Sequence, residues 1–264
     1  MSDQTVLLRR DGPVAVLTLN RPDAGNTVNM PLALALEQAV DDVLADPALR
    51  CVVLTGAGKL FCGGGDIASF AQAADASAFL FDLASALHRS VSKLAHGGKP
   101  LVTLINGPAA GAGLSLALLG DIVLASASAH FTAAYGLVGL TPDGGMSWLL
   151  PRLVGLRRAQ EIILTNRRIG AQEAQAIGLV TRVVDAEALL EEGMALAHTL
   201  ATGPTAALGG ARDLLAAGFQ NDLDSHLALE ASRIARAGAS DEAREGIAAF
   251  LTRRKPQFTE RTPS

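Results

Sequence analysis

The chain has few of the residues from which metal clusters, disulfide frameworks and aromatic stacking surfaces are built. It contains two cysteines, one tryptophan and one tyrosine, and aromatic residues make up only 4% of its 264 positions. Cys51 and Cys62 have no metal-type spacing, and two free thiols are favoured over one disulfide between them. The five histidines are scattered, without ligand spacing or an obvious serine or cysteine partner. The sequence therefore predicts neither a metal site nor a Ser–His–Asp arrangement.

Long apolar runs and an excess of positive charge are also missing. No apolar run reaches the roughly 18 residues that a membrane helix requires, and the first twelve residues contain no apolar segment of signal-peptide length. The 26 acidic and 22 basic residues give a net charge of −4, which disfavours nucleic acid as a partner because that needs a basic face. We therefore expect a cytoplasmic protein that binds neither a membrane nor a nucleic acid.

Hydrophobic residues make up 49% of the chain, and in its N-terminal part they alternate between strand-like and helix-like patterns. Short apolar runs predict strands over residues 13–19, 50–55, 101–105 and 122–125. Between them, the spacing predicts a helix that begins near Pro31 and a mostly helical segment over residues 71–94. Because repeated strand–helix alternation implies parallel strands joined by crossover helices, we expect an α/β fold.

The C-terminal part has a different pattern. After a predicted helix over residues 171–177 and a short strand over 179–183, only helical periodicity is visible. It predicts four helices, over residues 186–202, 205–217, 223–237 and 241–253. The last three helices are rich in alanine and leucine, and such a surface often packs on a partner subunit. We therefore divide the chain into a core of residues 1–202 and a C-terminal helical segment of residues 203–264.

Two glycine-rich loops, GGGD at residues 63–66 and GAG at residues 111–113, each precede an apolar helix. In such loops backbone N–H groups can point at a ligand oxygen, because no side chains stand in the way. The functional interpretation gives this role to the N–H groups of Gly65 and Ala112. The structural alternatives are a flexible turn at the first loop and close strand–helix packing at the second. Asp66 is expected to be the helix N-cap under either interpretation. The nucleotide-phosphate patterns GxxxxGK[ST] and GxGxxG are absent.

One acid, Asp143, lies in the loop TPDGG (141–145), just before an apolar helix. As a cap for that helix it would be ordinary. As a base it would lie among apolar groups, where desolvation makes a carboxylate a better proton acceptor. From the local sequence the cap is favoured. Asp121 at a strand start is expected to be structural, and Ser115 and Tyr135 are each compatible with the core.

The order and spacing of these motifs resemble the enoyl-CoA hydratase/isomerase superfamily, also called the crotonase superfamily. The resemblance covers residues 5–258 and lies in LNRPDAGNTVN (19–29), RCVVLTGAGKLFCGGGDI (50–67), KPLVTLINGPAAGAG (99–113), DIVLAS (121–126), GLTPDGGMSWLLPRLVG (139–155) and AQEAQAIGLVTRVV (171–184). It implies an α/β spiral of ββα units with a C-terminal helical trimerisation segment. It also implies a homotrimer or a dimer of trimers.

The resemblance further implies an acyl-CoA thioester substrate, with no metal and no other cofactor. The carbonyl oxygen of the thioester would lie between the backbone N–H groups of Gly65 and Ala112. The other positions that match the substrate and coenzyme A contacts of the family are Arg21, Ala24, Gly63, Gly64, Asp66, Gly111 and Tyr135. Tyr135 and Trp148 are candidates for the wall of the acyl pocket, although each is also compatible with simple packing.

Two positions depart from the pattern of the family hydratases, which carry a glutamate at each of them. Here the residues are Ser115 and Tyr135, and neither can deprotonate water as a carboxylate does at neutral pH. Asp143 stands where several isomerases of the family carry their acid, and PDGG with SWLLPR resembles the ring 1,2-epoxyphenylacetyl-CoA isomerase and 3-enoyl-CoA isomerase branch. We predict an isomerase with Asp143 as its single acid/base. The alternatives are a hydratase with an atypical site and a non-catalytic CoA-ester binder.

Overall fold

Within residues 4–259, which the computed structural model describes, the chain forms nine strands in two sheets. In chain order they are β1 (Val6–Asp11), β2 (Val14–Leu19), β3 (Cys51–Gly56), β4 (Leu101–Ile105), β5 (Ala109–Ala110), β6 (Ile122–Ser126), β7 (His130–Thr132), β8 (Ile169–Gly170) and β9 (Arg182–Val184). The larger sheet has the order β1-β2-β3-β4-β6-β9, and the smaller one has the order β5-β7-β8. In the larger sheet β1 is antiparallel to β2 and every later pair is parallel.

Eleven α-helices connect and flank the strands in the same part of the chain. They are α1 (Met30–Ala45), α2 (Ile67–Ala71), α3 (Ala76–His96), α4 (Ala112–Ala117), α5 (Met146–Val154), α6 (Leu156–Thr165), α7 (Ala171–Ala176), α8 (Leu189–Ala201), α9 (Thr205–Ala217), α10 (Leu223–Gly238) and α11 (Asp241–Leu251). Side-chain caps mark several starts: Asn29 accepts a hydrogen bond from the N–H of Leu32 at α1, and Asp222 accepts one from Ser225 at α10.

Strands β2, β3 and β4 are covered on both faces, which explains their continuous apolar sequences. Because successive side chains of a strand point to opposite faces, Leu17 and Leu54 pack with α1 and α3 in the main core. Val16 and Val53 pack on the other face, against α8. These strands are parallel, so the loops that leave their carboxyl ends meet at one edge of the sheet. Ligand sites of open parallel sheets are commonly found at that edge.

The predicted elements are present, with some changes at their ends. The helix predicted over residues 71–94 begins only at Ala76 and continues to His96 as α3, because Asp75 caps it by accepting from the N–H of Ala78. Ala71 is instead the last residue of α2. The strand predicted over residues 179–183 begins only at Arg182, because Gly178 turns the chain after α7 with a φ of 81°. Strand β1 was not predicted, since three of the six residues in its sequence VLLRRD are charged and two of them, Arg9 and Arg10, are exposed. The four C-terminal helices are confirmed as α8 to α11.

The structural role expected for Asp121 is confirmed. Its Oδ2 accepts from the N–H of Leu101 at the start of β4 (2.7 Å), and its Oδ1 accepts from Nε of Arg212 on α9 (2.7 Å). Arg212 also donates to the carbonyl of Lys99 (2.7 Å). Asp121 therefore ties α9 to the sheet.

Cys51 and Cys62 are buried and neither forms a disulfide. Burial raises the pKa of both thiols to about 12, so both remain protonated. Within residues 4–259 no helix is long and apolar enough to cross a membrane. The same residues contain no group of three or more histidine, cysteine or acidic side chains placed to hold a metal ion.

Candidate active site

The two glycine-rich loops lie against each other at the edge of the larger sheet. One follows β3, and the other follows β4 and leads into α4. The N–H of Ala110 donates to the carbonyl of Cys62 (3.0 Å), and the N–H of Cys62 donates to the carbonyl of Pro108 (3.3 Å). Gly113 permits this contact, because a Cβ there would lie 2.1 Å from the carbonyl oxygen of Cys62. The two loops therefore build one site.

Gly65 and Ala112 line the same cavity. Next to Gly65, the carbonyl of Gly64 accepts from the N–H of Val28 (2.7 Å), and the N–H of Asp66 donates to the carbonyl of Val28 (2.9 Å). The N–H of Gly65 takes part in neither of these two hydrogen bonds. Ala112 is the first residue of α4, where the N–H has no partner inside the helix. Among residues 4–259 neither N–H donates a hydrogen bond, so both are available to a ligand oxygen.

The backbone conformation explains why glycines precede these two donors. Gly64 has a φ of 108°, and a Cβ there would lie 3.0 Å from the carbonyl oxygen of Ala110 in the facing loop. Gly111 caps α4 with a φ of 51° and a ψ of −125°. Both conformations lie in the left-handed half of the backbone map, which side chains disfavour. The glycines thus shape the loops, and the donors are the residues that follow them.

Arg21 and Asp66 hold the first loop in place. Nη2 of Arg21 donates to Oδ2 of Asp66 at 3.0 Å, and Nη1 donates to the carbonyl of Thr27 at 2.5 Å. Asp66 is also the N-cap of α2, accepting from the N–H of Ser69, so its predicted capping role is confirmed. Burial alone would raise the pKa of Asp66, but the hydrogen bonds from Arg21 and Ser69 outweigh it and hold the pKa below its usual range. The Arg21–Asp66 ion pair therefore fixes the position of Asp66, the residue directly after Gly65.

A cavity of about 410 Å³ opens in front of the two N–H groups. Its walls are mostly apolar and come from α2, α3 and the turn after β7, with Ile67, Phe70, Leu80, Phe81, Leu83, Ala84, Leu87, Leu137, Val138 and Leu140. Tyr135 and Asp143 are the ionisable side chains that line it in the described part of the chain. The cavity therefore presents two backbone donors and one carboxylate to an apolar guest.

Asp143 does not cap the helix that follows it. Helix α5 begins at Met146, and its N-cap is Gly145, without a side-chain hydrogen bond. The capping role favoured by the local sequence is therefore wrong, because Gly144 and Gly145 adopt φ angles of 61° and 85° and separate Asp143 from the helix start. The carboxylate lines the cavity instead, where Oδ1 accepts from the hydroxyl of Tyr135 at 2.5 Å.

Tyr135 and Ser115 complete a hydrogen-bonded group around Asp143. Oγ of Ser115 donates to the carbonyl of Asp143 at 2.8 Å and lies 3.2 Å from the hydroxyl of Tyr135. Burial raises the pKa of Tyr135 far above its usual value, and the charge of Asp143 and their hydrogen bond raise it further. Tyr135 therefore stays protonated and acts as a donor. It follows Ala134, which has a φ of 66°, a strained value for a residue with a side chain.

The structure brings together most of the residues that the sequence singled out. The predicted site residues that line the cavity are Gly63, Gly64, Gly65, Gly111, Ala112, Tyr135 and Asp143. Arg21, Ala24 and Asp66 lie outside its lining, with Ala24 exposed in a short 3₁₀ turn. Trp148 also lies outside the lining, because its ring is stacked 3.9 Å from the guanidinium of Arg152. Coenzyme A contacts at Arg21 and Ala24 stay a prediction.

One residue near the site was missed by sequence reasoning. Nε2 of His88, on α3, accepts a hydrogen bond from the N–H of Gly144 at 2.9 Å. The five histidines have no shared spacing, which hid this contact. Helical spacing offered a signal, since His88 lies four residues after Ala84 and next to Leu87, both of which line the cavity.

Comparison with known proteins identifies the class. The chain matches the sequence model of the family described as Enoyl-CoA hydratase/isomerase over residues 9–261. It therefore belongs to the enoyl-CoA hydratase/isomerase family and is an enzyme of that family, which acts on acyl-CoA thioesters. The resemblance read from the motifs is confirmed.

Individual relatives carry both names of the family. The chain is 41% identical over 250 residues to the 1,2-epoxyphenylacetyl-CoA isomerase of Escherichia coli (strain K12), covering 93% of this chain and 95% of that one. It is 37% identical over 265 residues to a probable enoyl-CoA hydratase of Rhodobacter capsulatus, with 99% and 100% covered. The crystal structure of a putative enoyl-CoA hydratase/isomerase from Mycobacterium abscessus matches with a TM-score of 0.92 and 37% identity, covering 97% and 100%. The crotonase-type α/β fold is thereby confirmed.

Proposed function

We propose that this enzyme is an acyl-CoA isomerase in which Asp143 is the single acid/base. The proposal rests on one observation. Asp143, Gly65 and Ala112 line the same cavity, and no other carboxylic acid of residues 4–259 lines it. Among the same residues the N–H groups of Gly65 and Ala112 donate no hydrogen bond. A base beside two donors is suited to forming and holding a thioester enolate.

The two N–H groups would bind the carbonyl oxygen of the thioester. Removing a proton next to the carbonyl places negative charge on this oxygen, and preorganised donors stabilise that charge without reorganisation. Each donor is typically worth roughly 3–4 kcal/mol of transition-state stabilisation. The hydrogen bonds to Val28 and the Arg21–Asp66 pair support this role, because they hold the first donor in place.

Asp143 would move one proton between two carbons. Its carboxylate takes a proton from the α or γ carbon, and the electron pair of that C–H bond enters the conjugated system as a dienolate. The protonated Asp143 then returns the proton to the other end, which shifts the double bond and restores the carboxylate. Within residues 4–259 its Oδ2 has no hydrogen-bond partner, whereas Oδ1 is held by Tyr135. The free oxygen is the one we assign to the proton transfer.

Hydration is disfavoured by the same group of residues. Tyr135 stays protonated because burial raises its pKa, and the hydroxyl of Ser115 is bound to the carbonyl of Asp143. Neither can activate water beside Asp143. The family hydratases that the sequence resembles carry glutamates at these two positions. A hydratase with an atypical site nevertheless stays the second candidate, because several relatives are named as probable enoyl-CoA hydratases.

The enolate chemistry also suits a ring substrate. An epoxide next to a thioester-activated carbon can rearrange through the same oxygen-held anion, and a relative is named 1,2-epoxyphenylacetyl-CoA isomerase. The proposed reaction needs no metal and no cofactor, since coenzyme A is part of the substrate.

We also propose that the chain forms a homotrimer or a dimer of trimers. Contacts between the C-terminal helices of different subunits would cover apolar side chains that are exposed in the single chain, among them Leu215, Ile234 and Phe250.

The decisive experiment compares the wild type with Asp143→Asn. An ultraviolet assay follows conversion of a 3-enoyl-CoA to the conjugated 2-enoyl-CoA, beside hydration of crotonyl-CoA. We expect isomerisation by the wild type, negligible hydration, and a loss of at least about 10²-fold in kcat in Asp143→Asn. Asp185→Asn is the matched control, because Asp185 is exposed and outside the cavity. Ordinary hydration would favour the second candidate, and acyl-CoA binding without any turnover would favour a non-catalytic binder.

A further inference from the structure

The peptide group between Asp143 and Gly144 is held at both of its ends. Its carbonyl oxygen accepts from Oγ of Ser115 at 2.8 Å, and its N–H donates to Nε2 of His88 at 2.9 Å. Ser115 lies on α4 and His88 on α3, so the two contacts come from different elements. Together they fix the plane of this peptide group relative to the cavity wall.

The sequence of the loop makes such a restraint necessary. Gly144 and Gly145 follow Asp143 with positive φ angles of 61° and 85°. Glycine populates both halves of the backbone map about equally, so within the loop only the hydrogen bond from the N–H of Met146 to the carbonyl of Asp143 (3.1 Å) restrains the peptide group. Gly144 cannot be replaced by a stiffer residue, because a Cβ there would lie 2.7 Å from Cβ of Ser115. The N–H end of the peptide group is therefore ordered by a contact from outside the loop, the one with His88.

His88 supplies a contact that few side chains can supply. The N–H of Gly144 needs an acceptor, so Nε2 must carry a lone pair and the proton of the neutral ring is on Nδ1. The side chain is exposed, and it does not line the cavity. It reaches the loop across 56 positions of the sequence. Its contact with the site therefore runs through the backbone of Gly144 and does not involve the substrate.

We propose that His88 is a positioning residue for the reaction, one that holds the Asp143 carboxylate in line with the acyl group. This inference rests on the proposed role of Asp143. Without His88 the peptide group after Asp143 is held only at its carbonyl, by Ser115 and the N–H of Met146. Its N–H end then moves more widely, and the carboxylate samples orientations that do not reach the substrate carbon. Misplacement of a reacting group by about 1 Å can cost up to about 10²-fold in rate.

The first test uses three substitutions of His88 and a control on the same helix. We expect kcat for 3-enoyl-CoA isomerisation to fall about 10- to 100-fold in His88→Ala, with KM changed less than about twofold because no substrate contact is lost. His88→Gln should restore most of kcat, since its Oε1 occupies the place of Nε2. His88→Asn should not, because its oxygen stops short. His96→Ala should match the wild type, because within residues 4–259 the side chain of His96 bonds only the carbonyl of Ser92 in its own helix.

The second test observes the hydrogen bond directly. In ¹⁵N-labelled enzyme at alkaline pH, the resonances that disappear in His88→Gln identify the ring, and we expect an unprotonated Nε2 and a protonated Nδ1. A proton on Nε2 would overturn the inference, as would an unchanged kcat in His88→Ala. Failure of the proposed function has a different signature, because isomerisation then survives Asp143→Asn. That result would also overturn the role of His88, whatever its tautomer.

Discussion

Replacing Ala112 with proline removes one hydrogen-bond donor from the cavity and is expected to leave the helix that starts there intact. Ala112 is the first residue of α4, and proline is favoured at that position because its missing N–H has no helical partner anyway. The preceding Gly111 has a ψ of −125°, outside the helical region that a following proline disfavours. The substitution therefore tests one N–H group with little change to the fold.

The size of the effect follows from when the donor is used. Charge develops on the thioester oxygen only as the proton is removed, so the donor contributes more to the transition state than to substrate binding. Loss of one such donor costs about 2.7–4 kcal/mol, equivalent to about 10²–10³ in kcat. The proline ring also places a methylene where the oxygen would lie, which acts in the same direction. Because the same methylene also displaces the oxygen of the bound thioester, we expect KM to rise together with the fall in kcat.

The assay is the ultraviolet measurement of 3-enoyl-CoA isomerisation, with the melting temperature measured in parallel. Ala112→Gly is the matched control, because it keeps the N–H and removes only a methyl group. It should retain most of the wild-type kcat, whereas Ala112→Pro should not. A kcat within about threefold of wild type in Ala112→Pro, well below the loss expected for an oxyanion donor, would refute the assignment of this N–H to the developing charge.

Two further predictions concern assembly and pH. The mass in solution, measured by light scattering, should be three or six times the 27.1 kDa of one chain, and a monomer would contradict the proposed packing of the C-terminal helices. The hydrogen bonds from Arg21 and Ser69 hold the pKa of Asp66 below its usual value in the folded chain, despite burial. Its ion pair with Arg21 should therefore stabilise the fold above the usual pKa of an aspartate and lose this effect as pH falls through the folded pKa. At neutral pH the melting temperature of the wild type should therefore exceed that of Asp66→Asn, which keeps a capping side chain. This difference should vanish in acid. A difference in melting temperature that does not depend on pH would contradict the role of the ion pair.

Local sequence was sufficient for elements whose patterns report burial. Strands β2, β3 and β4 are continuous apolar runs because both of their faces are covered, and this needs no knowledge of their neighbours. The helices α8 to α11 follow from periodicity in the same way. Asp66 was correctly predicted as a cap, since capping involves residues only three positions apart. The motif order was also sufficient to identify the family.

The arrangement of the site was decided by the tertiary structure. The local sequence favoured Asp143 as a helix cap, and only the folded chain brings its carboxylate to Tyr135 and its carbonyl to Ser115, 28 positions away. Trp148 was a candidate for the acyl pocket, but packing places its ring against Arg152. His88 shares no spacing with the other histidines, and its helical position alone does not show that it contacts Gly144. Periodicity records whether a residue is buried, whereas these contacts depend on how separate elements pack, and that information is shared among residues far apart in the chain.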